Sequence, residues 1–450
     1  MSATLPSGPA AVHAIRGRLV WFEDDPRMAG SAACREVEDG VVVVEDGLIR
    51  AVGEAAALLP DLPAGTAVAD HRGCLVLPGL IDTHIHYPQT RVIASYGAQL
   101  LEWLQKYTFV EEQRFRDPAH ATAVAQFFLD ELARNGTTTA VVYCTVHPES
   151  AEAFFTEAAA RRLRMIAGKV MMDRNAPERL RDTPEQGYAE SKALIEHWHG
   201  RGRLGYAVTP RFAVTSSEEQ LEAAGALLAE HAGVWMQTHL AENQDEIEAV
   251  AAFFPKAKDY TDVYDRFGLL GERSLFGHCI HLAERELQRL ADSRSVAVFC
   301  PTSNLFIGSG LFDMAALRDA RRPVRVGLAT DVGGGTSYSM LRTAAEAYKV
   351  MQLKGLNWPA LDAFYLMTLG NARALGLEGR IGTLAAGMEA DLVVLDPAAT
   401  PAMAHRLEII QGDLAETLFL LMTLGDDRAV RACYVLGEPA GGAPDKTSKE

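Results

Sequence analysis

Eight short apolar runs, separated by longer stretches of helical periodicity, constrain what this chain can fold into more than any other feature. In order they are LVLPGLIDTHIH, TTTAVVYCTV, LRMIAGKVMMD, LGYAVTP, VWMQTHL, SLFGHCI, VAVFCPT and VRVGLATD. Between them, DPAHATAVAQFFLDELARNG and SEEQLEAAGALLAEHAG carry apolar residues at helical spacing, and the second opens on Ser217 with two Glu in its first turn and closes on Gly233. Strand and helix alternating eight times predict a (β/α)8 barrel rather than an open sheet. In such a barrel the chemistry gathers at the C-terminal ends of the strands, so the last residues of each run are the ones to read for function.

The two ends of the chain have a different texture. VVVVEDGLIRAVG sets a β-branched run before an Asp-Gly turn, a hairpin signal, and RIGTLAAGMEADLVVLD and RAVRACYVLGEP read as Gly-punctuated strands with no long amphipathic helix among them. Residues 1–77 and 376–450 are therefore expected to form one small β-sandwich domain from both termini, flanking a barrel over 78–375. The last ten residues, GGAPDKTSKE, read as a frayed polar end. With 48% hydrophobic and 23% charged residues over 450 positions, the chain can bury a large core. Its formal net charge of −16 argues against nucleic acid or an acidic membrane as partner. The six cysteines include no C-x-x-C pair, no apolar run is long enough to span a bilayer, and the first residues lack a signal-peptide pattern. Reduced thiols and a cytoplasmic location are expected.

His84 and His86 end the first run as H-x-H, and residues i and i+2 of a strand face the same side. The pair alone is weak evidence, because thirteen histidines also produce His197 and His199, at the end of a helical stretch where they are expected to be solvent-exposed. Context separates the two pairs. His239 closes the fifth run, His278 lies in the sixth and Asp331 closes the eighth; 153 residues separate His86 from His239, which is four units of about 38 residues. Each residue alone reads as an ordinary hydrogen-bonded strand end. Together, three imidazoles and a carboxylate in phase with the barrel repeat suit a borderline divalent metal, most often zinc, with one position open for water. Glu242, three residues after His239, is either a first-turn helix acid or a proton carrier beside that water.

PGLIDTHIHYPQT, THLAEN, GHCIHL, CPTSN and ATDVGGGTS together resemble the amidohydrolase superfamily, and HIHYPQTRVIASYGAQLLEWLQKYTFVEEQRF is similar to its guanine deaminase family almost residue for residue. The match spans most of residues 75–335. The resemblance implies a single Zn2+ per chain, with Fe2+ as the alternative, held by His84, His86, His239 and Asp331. It also implies that His278 and Asp331 orient the water or substrate and that Glu242 shuttles protons. Gln89, Arg211 and Phe212 are implied as contacts to the base: an amide with donor and acceptor, a planar fork for a ring carbonyl or nitrogen, and an aromatic face. The implied reaction is hydrolytic deamination of free guanine to xanthine and ammonia in purine catabolism, by a homodimer.

Three other readings compete. A deaminase of another aminated heterocycle, of the 8-oxoguanine, cytosine or triazine type, would share the scaffold. A binuclear hydrolase of the dihydropyrimidinase kind needs a bridging Lys on the fourth strand, where LGYAVTPRF has none; Lys169 on the third reads as a packing or ion-pair residue. A catalytically inactive barrel scaffold would have lost ligands that this chain keeps. A phosphate loop at Gly333–Gly335 lacks the adjacent Lys.

Overall fold

All eight apolar runs form parallel barrel strands in the computed structural model, which describes residues 12–96 and 99–440. Strands one to eight are Leu80–His86, Thr137–Tyr143, Arg164–Gly168, Gly205–Pro210, Trp235–Leu240, Ser274–His278, Val296–Phe299 and Arg325–Leu328. A two-residue piece, Val170–Met171, extends the third run and pairs with strand four. Strands one to six are almost wholly buried, as their near-continuous apolar character requires of a sheet covered on both faces. The helix Pro118–Arg134 starts on Asp117, whose side chain accepts from Ala119 N, and Glu218–Glu230 starts on Ser217, which accepts from Gln220 N. The latter ends at Glu230, three residues before Gly233.

Adjacent strands from one through eight are joined by backbone ladders, while eight and one meet differently. There Thr83 Oγ1 donates to Leu328 O (3.1 Å), Asp331 N to His84 O (3.0 Å), and Asn371 Nδ2 to both Ile81 O (2.7 Å) and Leu328 O (2.8 Å). Buried Asp82 accepts from the backbone N–H groups of His84 and Thr330. Side chains stitch this seam, and strand one shifts register twice along its pairing with strand two, as a bulged strand does when it re-aims its side chains. The seam carries His84, His86 and Asp331.

The termini build a mixed seven-stranded sheet. Its spatial order is Glu438–Pro439, Val430–Val435, Leu392–Leu395, Ala67–Pro78, His13–Phe22, Cys34–Glu45 and Leu48–Glu54. The Asp-Gly turn is the expected hairpin, with Asp46 at φ 54° and Gly47 at φ 80°, the left-handed pair that a two-residue turn of matching twist requires. The tail departs from an all-β expectation. Helices Pro401–Leu407 and Leu414–Leu424 separate its strands, and the second, capped by Asp413, buries Leu418, Leu420, Leu421 and Met422 against helices Met340–Leu353 and Ala360–Tyr365. The residues of LAETLFLLMTL are good helix formers and apolar around most of the helix, so packing against two helices suits them better than a half-solvated sheet. The polar end 441–450 lies outside the described residues. No described helix is long and apolar enough to cross a membrane.

Candidate active site

The C-terminal ends of strands one, five, six and eight converge. His84 Nε2 lies 3.3 Å from His86 Nε2, which lies 3.3 Å from His239 Nε2, and Asp331 Oδ1 is 3.4 Å from both His84 Nε2 and His86 Nε2. A tetrahedral ion with bonds of about 2.0–2.1 Å holds its ligand atoms about 3.3–3.4 Å apart, so these spacings are those of a metal site's edges. Two sets, His84–His86–His239 and His84–His278–Asp331, each bring ligand atoms within 4.8 Å of one another. His239 Nδ1 bonds to Arg211 O at 2.7 Å, which leaves Nε2 unprotonated and facing the cluster. Burial pulls the His86 imidazole down to about 3 and that of His239 well below its usual value, neighbouring histidines adding to the effect at His239. Neutral imidazoles are the form that binds a metal. Burial also opposes ionisation of Asp331, but the surrounding imidazoles of His84, His86 and His278 outweigh it and hold the carboxyl well below its normal range.

The backbone bends sharply to achieve this. His278, Cys279, Ala241 and Asp331 all sit at positive φ, between 51° and 71°, at the ends of strands five, six and eight. Non-glycine residues in that region are strained, and such strain collects where side chains must be aimed. Gly277 contributes by absence: a Cβ there would lie 2.6 Å from His84 Cε1.

Glu242 precedes the helix Gln244–Phe253 and is not a first-turn acid. Glu246 takes that role, its Oε2 accepting from Glu242 N (2.9 Å) and Asn243 N (3.1 Å). The Glu242 carboxyl is instead buried against the cluster, 3.3 Å from His278 Nε2, with Ser309 Oγ donating to it at 2.8 Å. Burial, then the charge of Asp331, pushes it up to about 8. His278 Nε2 also lies 3.8 Å from Asp331 Oδ2, and its Nδ1 is held by Asn304 Oδ1 at 2.9 Å.

A pocket of about 390 Å3, mouth included, opens on this cluster and is lined by Gln89, Arg211 and Phe212 among others. Every site residue singled out in the sequence except His84 lines it, and His84 lies directly behind in the cluster. Three residues that the sequence did not point to complete it. Trp103 and Leu104 form part of one wall, Leu104 opening a π-helical turn over Leu104–Thr108. Glu112, buried behind the lining, accepts two bonds from Arg211 Nη1 (2.7 and 2.9 Å) and one from Gln89 Nε2 (3.1 Å). Glu111 beside it pairs with Arg114 and His120, and nothing in the sequence distinguishes the two acids. Outside the site, Lys169 is ion-paired with Asp182 (2.6 Å) and Glu190 (3.2 Å). His197 is exposed, but His199 is half-buried because its Nδ1 accepts from Tyr206 N.

An eight-stranded barrel with a histidine and aspartate cluster at the strand ends defines a metal-dependent class of hydrolase. The chain belongs to the amidohydrolase family, whose model matches residues 75–439. Within that family it is similar to guanine deaminases. The guanine deaminase of Escherichia coli K12 is 48% identical over 96% of this chain and 98% of its own length. The structure of the E. coli enzyme superimposes with a TM-score of 0.92, covering 95% of this chain and 99% of that one. A Clostridium acetobutylicum guanine deaminase crystallised with guanine in its active site is 28% identical, with a TM-score of 0.84 over 95% of this chain and 100% of the other.

Proposed function

We propose that this protein is a zinc-dependent guanine deaminase that converts free guanine to xanthine and ammonia. One observation carries the reading: a single pocket joins a tetrahedrally spaced ligand cluster, a buried carboxyl at its edge and a polar pair suited to a base. His84, His86, His239 and Asp331 are the residues that would hold the ion, and zinc bound there supplies a water made acidic enough to act as nucleophile near neutral pH. Glu242 takes a proton from the attacking water and delivers it to ring N3, which makes C2 electrophilic; it then takes the second proton from the hydroxyl now on C2 and passes it to the amine, so that ammonia rather than amide leaves. A carboxyl whose pKa burial has raised suits both halves of that task. His278, steadied by Asn304, aligns the attacking water, and Phe212 offers an apolar face to the base.

Six unpaired cysteines support a reducing, cytoplasmic setting, and likeness to the family supports a homodimer. Ammonia release from guanine, 8-oxoguanine, cytosine and adenine, with and without a chelator, tests the proposal. Turnover of guanine that the chelator abolishes is expected; turnover of cytosine or adenine but not guanine would move the enzyme to another substrate, and chelator-insensitive turnover would remove the metal.

A further inference from the structure

The polar edge of the pocket is fixed from behind. Glu112 is 1% exposed, and its carboxylate offers only acceptors. It takes Arg211 through Nη1 alone, and among the described residues no acceptor reaches Arg211 Nε or Nη2. Phe109 lies under the guanidinium, 5.3 Å from ring centroid to Cζ. The same carboxylate takes the Nε2 end of Gln89, so a turned amide would set oxygen against oxygen. Gln89 Oε1 is thereby directed away from Glu112. It lies against Gly333, where an added Cβ would come within 1.9 Å of it, and no described donor reaches it. Arg211 and Gln89 both line the pocket, and Glu112 takes the amide nitrogen of Gln89 and one guanidinium nitrogen of Arg211, leaving an amide oxygen on one and two donor nitrogens on the other unclaimed.

Resting on the functional reading above, we propose that Glu112 is a specificity-determining positioning residue: it holds Arg211 and Gln89 so that the site selects a base with a ring carbonyl beside a ring N–H. In guanine these are O6 and N1–H, next to the C2 that reacts. A base whose ring nitrogen next to the reacting carbon bears no hydrogen, as in 2-aminopurine, adenine or cytosine, sets a lone pair against Gln89 Oε1. 8-Oxoguanine has the same edge as guanine and is not rejected by it. A site built around a hydrogen bond discriminates strongly against partners that leave it unmade, because its buried groups then stay unpaired.

The test compares guanine with 2-aminopurine as substrates of the metal-loaded enzyme. In Glu112→Gln, an amide at position 112 can donate to a turned Gln89 and no longer anchors Arg211 as an anion. The kcat/KM for guanine should fall at least about tenfold, chiefly through KM, and the guanine to 2-aminopurine ratio should narrow by a similar factor. Glu112→Asp, which keeps the charge, should retain more of the ratio than Gln. A merely structural role would lower both substrates in parallel, and an unchanged ratio in a folded, metal-loaded Glu112→Gln overturns the proposal. If that variant does not fold, the wild type still decides: hypoxanthine should inhibit at least about tenfold more strongly than 1-methylhypoxanthine, which lacks the N–H. Equal inhibition overturns it. A wild type that releases no ammonia from guanine instead defeats the functional reading itself.

Discussion

Glu242 carries a demanding pair of tasks for one carboxyl, because it must be protonated often enough to act as an acid and still be able to accept a proton. Its position meets both: it is buried beside Asp331 and His278, outside the helix that follows, and bonded by Ser309. Glu242→Gln preserves the shape and the bond to Ser309 while removing proton transfer. That variant should keep its metal and lose about two to four decades of kcat, the range for removing a general acid–base. Metal analysis beside steady-state rates checks it, and a variant turning over at the wild-type rate would end the assignment. At this scale the sequence was informative where chemistry coincides with a strand end. His84, His86, His239, His278 and Asp331 are legible because the barrel repeat brings them into phase. Glu112 is not, since its partner Arg211 is 99 residues away and only the fold makes them neighbours.

The elements deliver these residues through backbone features of a kind that periodicity does not record. The eight runs predicted eight strands because each must be apolar on both faces, and the Asp-Gly turn predicted its hairpin because few sequences suit two successive left-handed residues. The stitched seam between strands eight and one, the two register shifts in strand one and the left-handed residues at strand ends leave no such pattern. The tail helices are hidden for a different reason: LAETLFLLMTL lies between strand-like flanks and is apolar around most of its circumference, so no helical stripe stands out. Strand six gives a direct test of how tightly the elements set the site. Gly277→Ala places a methyl 2.6 Å from His84 Cε1, so the ring must move from a position where its Nε2 is 3.3–3.4 Å from two other ligands. Overpacking of this kind costs about 1–3 kcal/mol, or roughly 5- to 160-fold in metal affinity if the ring yields. Chelator-competition titration measures it, and wild-type affinity in a folded variant would show that the cluster is looser than its spacing implies.

The whole molecule is held together by contacts between the barrel and the sheet made from both ends of the chain. Arg164 on strand three and Arg203 just before strand four both pair with Glu389, and Arg203 also bonds to Asp391 (3.0 Å). All four side chains are nearly buried, so Glu389→Ala leaves two guanidinium groups short of a counter-charge. A loss of about 3 kcal/mol or more is expected in denaturant unfolding, and a change within error would mean that Asp391 and backbone carbonyls suffice. Within the sheet, His71 and Tyr434 join the N- and C-terminal parts through a 2.7 Å hydrogen bond between His71 Nε2 and Tyr434 OH. Burial, reinforced by Arg431 and opposed by Asp70, lowers the His71 pKa below 6.5. The unfolded chain, with its histidine near 6.5, then binds the proton more readily than the folded one. Stability from this residue is therefore fully present above about pH 6.5 and is lost as pH falls toward the lowered folded value. His71→Gln can keep a bond to Tyr434 but cannot titrate. Its Tm should fall less than that of the wild type between pH 7.5 and 5.5, the other buried histidines contributing equally to both. Equal falls in calorimetry would show that His71 takes up its proton without loosening the joint between the two ends.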